Sequence, residues 1–467
     1  MISQGSSSAI QWPMELDFHA SPYTSDQFAP TCQSISCSAI PYLLIFLTST
    51  TLFHRLPTFE SSLPFPLPSP SIMPRQRELG EANTHSSRVF VGTWNVGGIP
   101  PSDDLDLENW LDTSNNSYDI YVLGFQEIIP LSTRNVLGLE ESKMAGKWNS
   151  IIGATLNKTL PDQRPTQMFE PVEHRKVYPV KDGYHRERKA GDFRCIISKQ
   201  MVGILVSLWI RNDLLDYVSY PSVSCIGCGI MGCLRNKVTL SLSLSLSLSL
   251  SSYLHLVWSL QGSVSVRFCL HESSFCFVCC HLVSGGKEGD EMRRNSNVMD
   301  ILSKTCFSSD SSNDLPKKIL DHDRIVLFGD LNYRISLPEA KTSSLVEQKE
   351  WNILLDHDQL RLELSEGRTL EGWNEGAITF SPTYKYHPNS DQYCWEVPGS
   401  TGERRRAPAW CDRILWLGEG LKQIGYERCE SQLSDHRPVR AIFTAEVDAV
   451  VLQSSNAMDG QGGVRNG

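Results

Sequence analysis

From Arg88 onward, short apolar runs along the chain each end in a polar residue. "RVFVGTWN" stops at Asn95, "YDIYVLGFQE" at Glu127, "FCFVCCH" at His281 and "RIVLFGD" at Asp330, with Asn332 two residues further on. Runs of this length, rich in β-branched and aromatic residues and bounded by polar ones, predict β-strands. "MVGILVSLWIR", "SVSVRFCL" and "VRAIFTAEV" read the same way, the last of them following "SDHRP". Helical spacing intervenes, and "EQKEWNILLDHDQLRLEL" over Glu347–Leu364 predicts a helix. Strands alternating with helices predict an α/β layered fold. Polar residues gathered at strand ends predict a functional site along one edge of its sheets.

Three stretches depart from this pattern. Residues 1–85 are rich in Ser and Pro and predict a disordered N-terminal extension; its apolar run "PYLLIFLTSTTLF" is too short to span a bilayer. Residues 450–467 are rich in Gly and Ser and predict a disordered tail. Between them, residues 86–449 predict one domain, interrupted by a low-complexity insertion at 238–261. Within that insertion, Leu and Ser alternate from Leu240 to Ser251. Strict period-2 alternation makes a flat, uncharged strand, which is a pattern of aggregating segments more than of functional ones.

Charge narrows the function. A net charge of -10 argues against a nucleic-acid partner, because neutralising phosphates needs a basic surface. A small anionic substrate remains open to a local cluster of Arg and Lys. The 14 cysteines show no disulfide-framework spacing and predict free, buried thiols. "CIGC" at Cys225–Cys228 lacks the second pair that a zinc site requires.

The strand-end residues carry the chemistry. Glu127 suits a hard cation such as Mg²⁺, which takes one or two carboxylates and leaves room for water and phosphate. Asn95 could complete or steady that shell with a neutral oxygen. In "GDLNYR", Asp330 and Asn332 fall on one side of an extended segment, Asp330 to orient or deprotonate a water and Asn332 to hold a phosphate oxygen. "WCDR" and "SDHRP" add Asp412, Asp435 and His436. A carboxylate beside His436 would orient the imidazole and favour its charged form, placing a cation against a phosphate. Each residue alone reads equally well as a turn former or cap. As a set they fit hydrolysis of a phosphomonoester by positioning and charge neutralisation.

"TWNVGG", "LGFQEI", "FGDLNYRI", "GWNEGAITFSPTYKY", "RRRAPAWCDRILW" and "SDHRPV" together resemble the inositol polyphosphate 5-phosphatases, particularly the plant enzymes, within the exonuclease-endonuclease-phosphatase superfamily. The resemblance covers Arg88 to Val447 with one interruption. It implies a four-layered α/β sandwich of two mixed sheets flanked by helices. It also implies Mg²⁺-dependent removal of the 5-phosphate from phosphatidylinositol 4,5-bisphosphate and related phosphoinositides or inositol polyphosphates. On matching positions it puts the metal at Glu127 with Asn95, and makes Asp330 the base or water-orienting group. Asn332 and His281 would lie on the scissile phosphate, His436 would pair with Asp412, and Asp435 would support the metal-water side. Tyr384, Lys385, Arg404 and Arg406 match the contacts to a 4-phosphate. Phe328 replaces the Trp often found before the GD pair, a conservative change. The expected protein is a monomer that binds inositol polyphosphates and phosphoinositide head groups and no nucleic acid, in the cytoplasm with transient association to the membrane surface. Two other readings are a different hydrolase of the superfamily and a binding module without turnover.

The resemblance also gives the Leu-Ser tract a meaning. Family members carry an "NKG" motif, with Asn236 and Lys237 here separated from Gly262 by Val238–Gln261. Removing that segment yields the continuous "LRNKGSVSVRF". Alternating Leu and Ser is what a CT repeat encodes, Val can begin with GT, and Gln can be CAG. These are the marks of a retained intron. Asn236 and Lys237 are expected at the substrate, so the insertion is expected to impair activity.

Overall fold

The computed structural model describes residues 84–114, 118–130, 141–158, 192–228, 261–308, 315–394 and 406–448. Two six-stranded sheets form the body. The first has β1 (Thr84–Asn95), β2 (Ile120–Gln126), β3 (Phe193–Met201), β4 (Ile204–Arg211), β11 (Leu421–Arg428) and β12 (Val439–Asp448), in the order β11-β12-β1-β2-β4-β3. The second has β5 (Val218–Gly227), β6 (Gly262–Leu270), β7 (Ser273–His281), β8 (Arg324–Asp330), β9 (Asn374–Glu375) and β10 (Asp412–Leu417), in the order β5-β6-β7-β8-β10-β9. Each sheet holds one parallel pair, β1 with β2 and β7 with β8, among antiparallel ones, so both are mixed as expected.

The strands at the parallel pairs are covered on both faces, which is why they read as unbroken apolar runs. Every residue of β2 and of β7 is buried. Between the sheets, Val91, Val122 and Val206 meet Val266, Phe277 and Phe328. Outside the first sheet lies an aromatic cluster of Trp94, Trp110, Phe125 and Trp148, the last from the helix Glu141–Leu156. Outside the second, the helix Asp290–Lys304 contributes Val298 and Ile301. These are the four layers. The sheets approach closely at Gly124, where a Cβ would sit 2.6 Å from Cys279 Sγ and 2.6 Å from the Phe328 ring. Any larger residue there would force the layers apart.

Two local expectations fail. The helix expected over Glu347–Leu364 is broken into Trp351–Leu355 and Gln359–Ser365. Asp358 is extended (φ -71°, ψ 123°), and its side chain accepts from the Arg361 N–H to cap the second helix. A helix-interior pattern gave way to a cap. Asn332 is not extended either. Its φ of 57° is left-handed, and its N–H bonds back to Asp330 Oδ1 at 3.0 Å in an Asx-type turn. Strand alternation therefore does not govern where its side chain goes.

The domain's two ends meet, Thr84 pairing with Asp448 on β1 and β12. The cysteines among the described residues are free. No helix among the described residues is long and apolar enough to cross a membrane. Residues 1–83, the segment 229–260 with Asn236 and Lys237, Arg404, and residues 449–467 lie outside the described residues, whereas Thr84 and His85, expected in the disordered extension 1–85, begin β1.

Candidate active site

Strand register builds the centre of the site. Gly262 pairs with His281, His281 with Asp330, and Asp330 with Asp412, giving a straight row across β6, β7, β8 and β10 at one edge of the second sheet. Paired positions share a face, so His281, Asp330 and Asp412 stand side by side although they are far apart in sequence. The first sheet adds Asn95 at the last position of β1 and Glu127 just beyond β2. Asn95 Nδ2 donates to Asp330 Oδ2 (2.9 Å) and to Glu127 Oε1 (3.1 Å), linking carboxylates from both sheets. Its Oδ1 accepts from the Gly97 N–H at 3.0 Å. Of the two roles expected for Asn95, this geometry is the steadying one.

Glu127 adopts a left-handed conformation (φ 54°), which costs a non-glycine residue about 1 kcal/mol. Bonds from Gly98 N–H to Glu127 O (2.7 Å) and from Ile128 N–H to Gly203 O (3.0 Å) hold the turn that aims its side chain. His281 Nε2 lies 3.7 Å from Glu127 Oε1 and 3.6 Å from Asp330 Oδ2.

His436 comes from the loop before β12. Its Nδ1 bonds to Asp412 Oδ2 at 2.8 Å, and its Nε2 faces Asp330 Oδ2 at 3.9 Å. Burial alone would push its pKa down. The charges of Asp412 and Asp330 and the hydrogen bond to Asp412 outweigh burial and raise it to about 10, which favours the charged form of the imidazole. Burial in turn raises the Asp412 carboxyl above the usual range, against the opposing pull of His436 and of the Thr383 hydroxyl.

Beside this centre sits a basic and aromatic wall. The Tyr384 ring lies 4.5 Å from the His436 ring, Arg406 Nη1 donates to Tyr384 Oη at 2.9 Å, and the Arg334 guanidinium stacks 4.5 Å from the Tyr384 ring. Lys385 Nζ is 3.8 Å from Asp435 Oδ2. Asp435 also abuts the turn after Asn95, since a Cβ at Gly97 would lie 3.3 Å from its Oδ1. Asn332 gives Nδ2 to Leu282 O at 3.1 Å and accepts from Arg334; its second amide N–H has no partner among the described residues. The structure thus gathers the expected site residues that it describes. Sequence reasoning missed Arg334 and Thr383, although both lie inside the quoted motifs "GDLNYR" and "SPTYKY".

A cation has two possible seats. Asp330, Asp412 and His436 offer ligand atoms within 4.8 Å of one another. In that group His436 Nδ1 and Asp412 Oδ2 already bond each other, and Oδ2 also accepts from Thr383. The Glu127 side chain is 25% exposed, stands beside Asp330 and offers hard oxygen, the chemistry that Mg²⁺ takes. The donor set fits a hard divalent cation at Glu127.

The profile of Endonuclease/Exonuclease/phosphatase family 2 matches residues 92–442. The chain is 54% identical over 360 residues to type IV inositol polyphosphate 5-phosphatase 9 of Arabidopsis thaliana, covering 77% of this chain and 78% of that protein. The chain belongs to the inositol polyphosphate 5-phosphatase family. A second relative of this 5-phosphatase is type I inositol polyphosphate 5-phosphatase 8 of Arabidopsis thaliana, 44% identical over 77% of this chain and 71% of that one. Among solved structures, the 5-phosphatase domain of SPsynaptojanin, in complex with inositol (1,4)-bisphosphate and calcium ion, aligns with a TM-score of 0.57. It is 26% identical and covers 79% of this chain and 87% of that one. The enzyme class and layered fold expected from the motifs hold, and the protein is a phosphoric monoester hydrolase.

Proposed function

We propose that this 5-phosphatase removes the 5-phosphate from phosphatidylinositol 4,5-bisphosphate and related phosphoinositides or inositol polyphosphates, with Mg²⁺ as cofactor. The observation that carries the reading is the adjacency of two unlike walls. A carboxylate and imidazole centre suited to hydrolysis lies against an Arg406–Tyr384–Arg334 wall suited to a second phosphate. Lysine can hold such a phosphate as a point charge and arginine through forked hydrogen bonds, which supports Lys385, Arg404 and Arg406 as the 4-phosphate contacts.

In this reading, Asp330 accepts the proton of the attacking water, and Asn95 keeps its carboxylate aimed. The charged His436, oriented by Asp412, neutralises the phosphate as negative charge builds on its oxygens. His281 and the free N–H of Asn332 contact the same phosphate, and Asp435 supports the metal-water side. The P–O bond to the inositol ring breaks and the ring oxygen takes up a proton from solvent, while Asp330 returns its own to solvent, leaving inorganic phosphate and a ring hydroxyl. Mg²⁺ bound at Glu127, with Asn95 steadying that carboxylate, would supply charge neutralisation and a template for water and phosphate oxygens. Asn236 and Lys237 serve as further substrate contacts. The monomer acts in the cytoplasm, with transient contact to the membrane surface where lipid head groups are presented.

The test is phosphate release from vesicles containing phosphatidylinositol 4,5-bisphosphate and from soluble inositol 1,4,5-trisphosphate, with and without Mg²⁺. Activity on at least one, dependent on Mg²⁺ and lost in Asp330→Ala, is the expected result. Tight binding with no turnover at any Mg²⁺ concentration would refute it.

A further inference from the structure

Thr383 is fully buried and joins three segments that carry the site. Its hydroxyl donates to Asp412 Oδ2 at 2.7 Å, the oxygen that also meets His436 Nδ1. That hydroxyl oxygen in turn accepts from the Cys411 N–H at 3.2 Å, at the entrance to β10. The Thr383 carbonyl accepts from the Arg437 N–H at 2.9 Å, directly after His436. One residue therefore fixes both partners of the Asp412–His436 pair and leads straight into Tyr384 and Lys385.

The Asp412 carboxylate has little else to hold it. Its Oδ1 is buried with no hydrogen-bond partner among the described residues. With both bonds on Oδ2, the group has one preferred rotation. Without the hydroxyl, a single bond to His436 would remain, and either oxygen could serve it after rotation about χ2, a broad torsion for aspartate. The imidazole would follow, because its orientation is set by the carboxylate.

We infer that Thr383 is a positioning residue for hydrolysis, acting through its hydroxyl to hold Asp412 in the rotation that aims His436 at the phosphate. This rests on the proposed role of the Asp412–His436 pair. Threonine suits the task because its branched Cβ restricts χ1.

The test compares Thr383→Val, Thr383→Ser, Asp412→Ala and the Thr383→Val/Asp412→Ala double variant, on inositol 1,4,5-trisphosphate at saturating Mg²⁺. It is run on the full chain and on the form lacking 238–261. Thr383→Val keeps the shape and removes the hydroxyl, and kcat is expected to fall roughly 10- to 100-fold with KM within about twofold, the scale of a misplaced catalytic group. Thr383→Ser should recover most of kcat. The double variant should be no slower than Asp412→Ala alone, since on this inference the hydroxyl reaches catalysis through that carboxylate and its bond from the Cys411 N–H is structural. Unchanged kcat in Thr383→Val overturns the inference. So does a loss that multiplies with Asp412→Ala, or one that Thr383→Ser does not restore, since both indicate general structural damage. Full activity in Asp412→Ala, or no turnover in either parent form, instead removes the underlying reading of the pair.

Discussion

Deleting Val238–Gln261 should raise the activity of this chain while barely changing its stability. In the structure, β5 ends at Gly227 and β6 begins at Gly262, and these residues are direct register partners. Cys228 N–H donates to Gln261 O at 2.9 Å, a bond that any residue at that position can accept. The deletion makes Lys237 that residue and shortens the connection from 33 residues (229–261) to nine (229–237). That is slightly under two halvings of loop length, a gain of only about 1 kcal/mol in closure entropy. The functional effect should be larger. Gly262 pairs with His281 in the row containing Asp330, so Lys237 would be one residue from the site edge. A charge-assisted hydrogen bond to substrate phosphate contributes about 1.5–3 kcal/mol, which corresponds to roughly a tenfold to hundredfold rise in kcat/KM. The assay is initial-rate phosphate release by both forms, with thermal melts alongside. Equal kcat/KM in two well-folded forms would refute the reasoning, and so would a gain that persists after Lys237→Ala in the shortened chain.

Two further outcomes concern stability. Arg413 is fully buried, with Nη1 on Asp358 Oδ1 (2.8 Å) and Nε and Nη2 on the two oxygens of Glu375 (2.7 and 2.6 Å). Arg413→Met strands two buried carboxylates and should cost ~3–5 kcal/mol in denaturant unfolding; a loss under about 1 kcal/mol would show that the pairs are dispensable. His322 donates from Nδ1 to Lys318 O and Ile319 O, while its buried Nε2 has no partner among the described residues. Burial lowers its pKa from 6.5 to about 4, so the neutral ring's full stability is present above pH 6.5 and is lost as the pH falls towards 4, by about 3 kcal/mol in total. His322→Asn keeps a donor and cannot titrate. Its melting temperature should therefore fall less than the parent's between pH 7 and 4.5, and parallel curves would contradict this assignment.

Much of the site was legible because its residues end strands. Asn95, Glu127, His281 and Asp330 each follow an apolar run, and a strand's register with its neighbours turns a common end position into a common place. Asn332 does lie beside Asp330, but not for the reason that strand alternation gives. The Asx turn and φ of 57° depend on a local hydrogen bond, which alternation does not encode. The helix over Glu347–Leu364 failed for a tertiary reason. Arg413, 55 residues away in sequence, bonds Asp358, which caps a new helix there instead of continuing the old one.

The sequence by itself determined the strands, the polar stops, the family motifs and the low-complexity pattern of the Leu-Ser tract. All of these are periodic or local properties of the chain. Only the tertiary structure decided that Asp330 also faces His436, that Asn95 bridges the carboxylates of two sheets, and that Thr383 locks Asp412. Those facts depend on distances of about 3–4 Å between residues up to hundreds of positions apart, and on burial strengthening the electrostatics between them. Neither quantity is written in the order of residues.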